Sequence, residues 1–268
     1  MSIKKILLYG GLSLLLVGSM YYFFSRTTPP EPQGTRVIAH RGYWDTEGSA
    51  QNSLAALRAS QAIDVYGSEF DVNMTADDQL IVVHGPRHGE IENVQNVTFA
   101  EARAYALPNG EQIPTLAEYL ELGKQNPDVR LILEIKSHAT PERESFVIKK
   151  VLEAVKAAGV EQQTEYIAFS LHICRELARL APKADVAYLS GDRTPEELHD
   201  MGIDGLDYNI NVFVKNPQWI EQAHFFGLTV NVWTVNKEED MRMLIDNGVD
   251  FITTDAPELL QQVLQEKE

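Results

Sequence analysis

The residues best suited to chemistry lie between Gly67 and Gly85, in the run GSEFDVNMTADDQLIVVHG. Glu69 and Asp71 are two positions apart, so on an extended strand their carboxylates point to the same face. A polar stretch of turn-forming residues follows, and then a β-branched run that ends in His84. This pattern predicts a hairpin that brings two acids and an imidazole close together.

The turn of this hairpin decides which side chains meet. If the turn centres on Ala76 and Asp77, counting back places His84 roughly opposite Glu69, at a cross-strand separation of about 5 Å. A half-buried hairpin whose acids simply face water fits the same residues equally well. The choice between these interpretations depends on what the other strands contribute.

Two other short strands change from apolar to charged at their carboxyl ends. They cover residues 36–42 and 130–136. The charged residues at these ends are His40, Arg41, Glu134 and Lys136. In parallel α/β proteins the carboxyl ends of the strands share one rim, where functional sites are built. Three strands are therefore expected to deliver reactive side chains to one place.

Glu69, Asp71 and Glu134 together offer an all-oxygen ligand set. Such a set selects a hard divalent cation, Mg²⁺ or Ca²⁺, over zinc or copper. His40 and His84 suit proton transfer to and from a reacting oxygen, because the unperturbed pKa of histidine lies near neutrality. These five residues predict a metal-assisted acid/base site.

Arg41, Lys136 and Trp233 are candidates for substrate binding. Arg41 offers a bidentate fork for a phosphate and Lys136 a point charge, unless both form surface ion pairs. Trp233 ends a strand at the same rim, where its ring could pack against the alcohol part of a substrate or pack in the core. The remaining histidines lie in loops or helical patterns and are interpreted as structural: His88, His138, His172, His199 and His224.

From residue 36 onward, strand and helix patterns alternate eight times. The predicted strands lie near residues 36–40, 67–73, 130–136, 165–170, 185–190, 204–208, 228–234 and 249–254. The predicted helices cover residues 52–63, 114–125, 142–158, 172–181, 194–201, 216–226, 237–247 and 256–266. This alternation predicts a (β/α)₈ TIM barrel, with an open doubly wound sheet as the alternative. The return strand 80–84 and the segment 85–113 form a small hairpin insertion after the second strand, on the same rim.

The composition limits the class of protein. The 268 residues suit one large domain with a sizeable core. A net charge of -16 and the lack of clustered Lys and Arg argue against a nucleic-acid partner. The single cysteine, Cys174, excludes an intramolecular disulfide and a multi-cysteine zinc site. The sequence does not indicate an oligomeric state.

Residues 1–26 differ in kind from the rest. Lys4 and Lys5 precede a nearly uncharged run from Ile6 to Phe24, which as a helix would be about 28 Å long. This predicts an N-terminal membrane anchor, with a cleaved signal segment as the alternative. Residues 27–35 form an extended linker. The positive residues are expected on the cytoplasmic side, so the catalytic domain, residues 36–268, would lie in the periplasm or at the cell exterior.

The motifs of residues 36–260 resemble, in order, those of the glycerophosphodiester phosphodiesterase family. The matching segments are His40-Arg41-Gly42, Asn52-Ser53, Glu69-Phe70-Asp71-Val72, Val82-Val83-His84, Ile113-Pro114-Thr115-Leu116, Glu134-Ile135-Lys136, Trp233-Thr234-Val235-Asn236 and Thr254-Asp255-Ala256-Pro257. So many matches in the same order are very improbable by chance.

The resemblance implies a TIM-type barrel and assigns roles to the candidate residues. It implies a Mg²⁺ or Ca²⁺ ion on Glu69, Asp71 and Glu134, acid/base roles for His40 and His84, and phosphate contacts from Arg41 and Lys136. Two positions depart from the family pattern: Gln51 replaces the usual Glu before the Asn, and Gly85 replaces the usual Asp after the His. Neither departure removes a proposed ligand or acid/base residue.

The expected function is the metal-dependent hydrolysis of a small-molecule glycerophosphodiester to glycerol 3-phosphate and an alcohol. One alternative is a phosphodiesterase for another head group. Another is a catalytically impaired, anchored homologue that only binds ligand, which Gln51 and Gly85 would favour. The complete set of metal and acid/base candidates favours an enzyme.

Overall fold

The computed structural model describes residues 34–267, and its centre is a closed β-barrel. The strands are β1 (Arg36–Ala39), β2 (Gly67–Met74), β3 (Leu80–Val82), β4 (Arg130–Ile135), β5 (Thr164–Ala168), β6 (Val186–Tyr188), β7 (Gly205–Asn209), β8 (Thr229–Trp233) and β9 (Phe251–Thr254). All except β3 are parallel, and β1 closes the barrel because it pairs with both β2 and β9. The predicted (β/α)₈ TIM barrel is confirmed, and this closure excludes the open doubly wound sheet.

Helices alternate with the strands around the outside of the barrel. They are α1 (Leu54–Ala62), α2 (Phe99–Arg103), α3 (Leu116–Gly123), α4 (Pro141–Ala158), α5 (Leu171–Leu180), α6 (Pro195–Asp200), α7 (Ile210–Lys215), α8 (Gln218–Phe225), α9 (Glu238–Asp246) and α10 (Pro257–Gln265). The short helices α2 and α7 were not predicted. The helix starts at Thr140 and Thr194 are as predicted, because each side chain accepts a hydrogen bond from a backbone N–H three residues on.

The apolar core is divided by the wall of the barrel. Outward-facing strand residues such as Phe70 and Leu133 belong to one large buried cluster with helix residues such as Leu120 and Val147. A smaller cluster fills the barrel interior and contains Ile38, Ile132, Ile167, Leu189 and Phe251. Side chains alternate across each strand, so the other inward positions are left for polar groups.

The predicted hairpin exists, but its register differs by one position from the prediction. Val72 pairs with Val82, so the turn centres on Asp77 rather than between Ala76 and Asp77. The strand pairing ends at Val82, and in this register Glu69 is not opposite His84. The predicted cross-strand pair of these two residues is therefore wrong.

A three-residue loop explains the shift. The Thr75 backbone N–H donates to the Gln79 carbonyl at 3.0 Å, which encloses residues 76–78. Asp78 adopts a left-handed conformation with φ 63°, as is common in three-residue hairpin loops. A turn centred on Ala76 and Asp77 has two residues, and the extra residue of the observed loop moves every later position on β3 by one.

The segment 85–113 packs against β3. It contains a 3₁₀ turn (Val94–Asn96) and helix α2. A separate apolar cluster joins it to β3 and to the loop after β1, and consists of Ala50, Ile81, Val83, Ile91, Val94, Ala102, Leu107 and Ile113. The insertion thus has its own small core.

Residues 1–33, which include the predicted anchor and most of the predicted linker, lie outside the described residues. Within residues 34–267, no helix combines the length and the apolar character needed to cross a membrane. The anchor therefore stays a prediction.

Candidate active site

Three buried carboxylates meet inside the barrel near its carboxyl-terminal rim. Glu69 and Asp71 come from β2, and Glu134 on β4 is the direct register partner of Asp71. All three residues are at least nine-tenths buried, and one oxygen of each lies within 4.8 Å of the others. The fold therefore brings together the three residues predicted to bind a metal ion.

Two cationic side chains offset part of this negative charge. Lys136 Nζ lies 3.1 Å from Asp71 Oδ1 and 2.7 Å from Glu134 Oε1. Arg41 donates its backbone N–H to Glu69 Oε2 at 2.7 Å, and its Nε lies 3.4 Å from Asp71 Oδ2. Arg41 and Lys136 also border the cavity at this rim, so both cations can contact a ligand there.

The protein's own groups do not balance the three carboxylates. Burial raises the pKa of Glu69 well above its ordinary range, and the charges of Asp71 and Glu134 add to this effect. Burial and Asp71 also raise the pKa of Glu134, against the opposing charge of Lys136. Burial would raise the pKa of Asp71 as well, but Lys136 and other cationic neighbours lower it. A hard divalent cation fits this donor set, because it favours the ionised form of every oxygen ligand.

His40 follows β1 and is held by Asp255, which follows the neighbouring strand β9. The distance from His40 Nδ1 to Asp255 Oδ1 is 2.8 Å. Asp255 also accepts hydrogen bonds from Trp44 Nε1 at 2.9 Å and Asn236 Nδ2 at 2.7 Å. Burial would raise the pKa of Asp255, but the hydrogen bonds from His40, Asn236 and Trp44 lower it to about 2. The carboxylate fixes the imidazole and leaves Nε2 as the ring nitrogen for proton transfer.

His84 lies just beyond β3 and borders the same cavity as His40 and Glu69. The chain is held here by a 3.0 Å hydrogen bond from the Val83 backbone N–H to the Asp71 carbonyl. Burial lowers the pKa of His84 to about 4, although the charge of Asp71 acts in the opposite direction. His84 is therefore neutral near pH 7 and can accept a proton.

The turn after β1 positions the Arg41 side chain. Arg41 has a left-handed backbone, with φ 55°, which is uncommon for a residue with a side chain. Asn52 donates its backbone N–H to the Arg41 carbonyl and its side-chain amide to Asp71 Oδ2, at 2.8 Å. Gln51 Oε1 accepts a 2.7 Å hydrogen bond from Arg41 Nη1. Gln51, the first departure from the family pattern, thus supports Arg41 through a neutral acceptor.

Gly85, the second departure, has a φ of 55°. A Cβ at this position would lie 3.0 Å from Asn73 Nδ2 and 3.2 Å from Val94 Cγ2. Asn73 Nδ2 donates to the Val83 carbonyl at 2.8 Å. A side chain at position 85 would therefore crowd the amide that holds the return strand beside His84.

The opposite side of the cavity is largely apolar and is formed by β5 to β8. Phe169, which follows β5, packs edge to face against Trp233 at the end of β8, with ring centroids 5.6 Å apart. Trp233 Nε1 donates to the backbone carbonyl of Asp207 on β7 at 2.8 Å. Trp233 both borders the cavity and packs against the barrel-interior cluster. Lining the substrate cavity and packing in the core, the two roles predicted for Trp233, are therefore compatible.

Three residues of this site were not predicted from the sequence. Asn52 and Asp255 stand in the matched motifs, but no pattern along the chain reveals that they hold Asp71 and His40. Phe169 directly follows β5 at the rim of the barrel, and this position could have identified it as a site residue. The other five histidines have structural partners: His88, His138, His172 and His224 are hydrogen-bonded to protein groups, and His199 packs against Phe226.

Known proteins share this sequence and this fold. Residues 40–259 match the model of the glycerophosphoryl diester phosphodiesterase family. A glycerophosphodiester phosphodiesterase of Caldanaerobacter subterraneus subsp. tengcongensis is 30% identical over 239 residues, which cover 84% of this chain and 96% of the relative. The crystal structure of a glycerophosphodiester phosphodiesterase from Parabacteroides distasonis is 45% identical, with a TM-score of 0.86, and covers 87% of this chain and 98% of its own. The expected enzyme class is confirmed, and the chain belongs to the glycerophosphoryl diester phosphodiesterase family.

Proposed function

We propose that this enzyme hydrolyses glycerophosphodiesters to glycerol 3-phosphate and an alcohol, with the help of one divalent cation, Mg²⁺ or Ca²⁺. The observation that carries this proposal is the single cavity bordered by His40, His84, Arg41, Lys136 and the carboxylate cluster. Membership of the family supports a phosphodiester substrate.

Arg41 and Lys136 are the protein's own ligands for the phosphate. Both residues border the cavity, where Arg41 offers a planar guanidinium and Lys136 a point charge beside it. Fixed positive groups of this kind stabilise the charge that develops on phosphate oxygens in the transition state. A cation held by Glu69, Asp71 and Glu134 would add to this stabilisation when bound.

The two histidines divide the proton transfers. His84, which is neutral near pH 7, accepts a proton from the attacking water molecule as the new P–O bond forms. His40, oriented by Asp255, gives a proton to the leaving oxygen as the old P–O bond breaks. The products are then a phosphate monoester and an alcohol, and proton exchange with water restores both rings.

The test is hydrolysis of glycerophosphocholine and glycerophosphoethanolamine, with and without EDTA. We expect turnover that EDTA abolishes and that Mg²⁺ or Ca²⁺ restores. Full activity in metal-free buffer would contradict the metal requirement. Binding of these diesters without turnover, in the metal-loaded protein, would favour the impaired binding homologue instead.

We also propose that the catalytic domain lies on the extracytoplasmic side of a membrane, attached through the N-terminal segment. Support comes from Lys4 and Lys5 before the apolar run and the Pro-rich linker after it. Protease added to intact spheroplasts should release a soluble fragment that starts near residues 27–36. A catalytic domain that is protected until the cells are lysed would contradict this location.

A further inference from the structure

Two cavities of very different size meet at His84. The smaller one has a volume of about 130 Å³ and lies between the carboxylate cluster and the aromatic pair Phe169 and Trp233. The larger one, of about 850 Å³, lies between the loop after β1 and the insertion. His84 borders both cavities, so a phosphodiester bound beside His84 can extend one of its arms into each.

The sizes indicate which arm enters which cavity. The small cavity, of about 130 Å³, also holds the phosphate between Arg41 and Lys136, so the room that remains there suits a three-carbon polyol but not a bulky head group. The large cavity accepts groups of many sizes. The constant part of the substrate, glycerol, therefore fits the smaller cavity.

One polar side chain at the smaller cavity is not used by the catalytic groups. Asp207, in the middle of β7, is only 2% exposed, and its Oδ1 has no hydrogen-bond partner within residues 34–267. It lies between the smaller cavity and a narrow space towards the other end of the barrel, and it is not one of the three clustered carboxylates. Its polar neighbours Asn231 and Thr253 are hydrogen-bonded to each other at 2.8 Å.

A buried carboxyl without a full set of partners costs stability unless something satisfies it. Burial raises the pKa of Asp207 to about 7, although the Asn231 amide acts in the opposite direction. Near neutral pH the group is therefore partly protonated and can donate as well as accept a hydrogen bond. A hydroxyl group has the same two capacities.

We propose that Asp207 is a substrate-binding residue that hydrogen-bonds a hydroxyl of the glycerol arm in the smaller cavity. Phe169, Leu189 and Trp233 cover the carbon atoms of that arm. The head group then occupies the large cavity on the far side of His84. This inference rests on the proposed function, and it adds the residue that distinguishes glycerol from other alcohols.

The test compares glycerophosphocholine with two analogues in the full-length, metal-loaded protein. One analogue, 3-hydroxypropyl phosphocholine, lacks the secondary hydroxyl, and the other, 2-hydroxypropyl phosphocholine, lacks the terminal one. The wild type should prefer glycerophosphocholine to at least one analogue by about tenfold or more in kcat/KM. In Asp207→Leu that preference should fall to about twofold or less, mainly through KM, and Asp207→Asn should be intermediate because an amide still hydrogen-bonds.

Asp204→Asn is the matched control. Asp204 precedes β7 at the other end of the barrel, where its Oδ2 accepts a hydrogen bond from the Val186 backbone N–H at 3.0 Å. This variant should keep the wild-type preference. An unchanged preference in folded Asp207→Leu and in Asp207→Asn would overturn the inference while leaving the proposed function intact.

Calorimetry gives a readout that does not need turnover. Asp207→Leu should bind sn-glycerol 3-phosphate about tenfold more weakly than the wild type and inorganic phosphate equally well. Equal weakening for both ligands would overturn the inference, because it would show a general structural role. If the wild type hydrolyses none of the three diesters, the proposed function fails, and this binding comparison still decides the role of Asp207. If Asp207→Leu does not fold, Asp207→Asn decides by the same two measurements.

Discussion

The two halves of the barrel rim differ in chemical character. The half formed by β9 and β1 to β4 carries the carboxylate cluster, the cations, both histidines and Asp255, whereas the half formed by β5 to β8 presents Phe169, Leu189, Trp233 and the carboxyl of Asp207. Charged groups that move protons or hold a phosphate must be fixed within tenths of an ångström, and paired strands such as β2 and β4 provide this. The apolar half needs only a surface whose shape matches the substrate. Substitutions in the first half should therefore lower kcat, and substitutions in the second half should mainly raise KM.

The largest effect is expected from the carboxylates of the charged half. Asp71→Asn or Glu134→Gln removes one ionised ligand from a buried donor set, so metal affinity and kcat/KM should fall together, the latter by about 10³-fold or more. Activity assays with titrated Mg²⁺ or Ca²⁺ measure both quantities. Glu92→Gln is the matched control, because Glu92 is exposed on the insertion and pairs with Arg87 there. Wild-type metal affinity in Glu134→Gln would show that the cluster is not the metal site.

The histidines come next. His40→Ala and His84→Ala should each lower kcat by about 10²–10⁴-fold with small effects on KM, because both proton transfers belong to one turnover. The double variant should be little worse than the poorer single variant, since residues that act as a unit are not additive. His88→Ala is the control, because His88 lies four residues further on and bonds the Tyr105 carbonyl at 2.9 Å. A loss of kcat in His88→Ala equal to that in His84→Ala would contradict the assignment.

The hairpin shows what sequence patterns predict and what they do not. The alternation of strands and helices predicts the closed barrel, and the charged strand ends predict that His40, Glu69 and Glu134 meet. The exact pairing is not predicted, because one extra residue in the loop 76–78 shifts every position on β3. His84 still reaches the site, because it lies just beyond the end of β3 and borders the same cavity as Glu69.

Partnerships across the closed barrel are the other part that the sequence does not reveal. Asp255 is 215 positions from His40, and only the pairing of β1 with β9 brings them together. Asp207 stands in an otherwise ordinary strand, and its lack of a partner is a property of the packed interior. Patterns along the chain predict which face of a strand or helix a side chain occupies. They do not predict which atoms from distant parts of the chain contact that side chain.

Asp255 provides a smaller test of the charged half. Asp255→Asn keeps the shape but loses the charge that orients His40, so kcat should fall by about 10–100-fold. The folded-state pKa of about 2 is below the ordinary 3.8, so the carboxylate stabilises the fold above about pH 4. This contribution is lost as the pH falls toward 2. Denaturant unfolding at pH 6 and pH 3 should therefore show a larger cost of Asp255→Asn at pH 6. An equal cost at both values would show that the charge is not what matters.

The smallest effect is expected in the apolar half, at Phe169. Its ring is 38% exposed at the cavity, packs against Trp233, and has Lys136 Nζ 5.8 Å from its centroid. Phe169→Ala removes apolar surface that the substrate covers, worth about 1–2 kcal/mol, so KM should rise by about tenfold while kcat stays within about twofold. Phe146→Ala is the matched control, because Phe146 is 41% exposed and also lies near a cation, Arg143, but it lies on α4 away from the cavity. It should leave both constants unchanged. If Phe169→Ala instead lowers kcat with KM unchanged, the ring positions Lys136 for catalysis, and the division of the rim into a reactive half and a binding half is wrong.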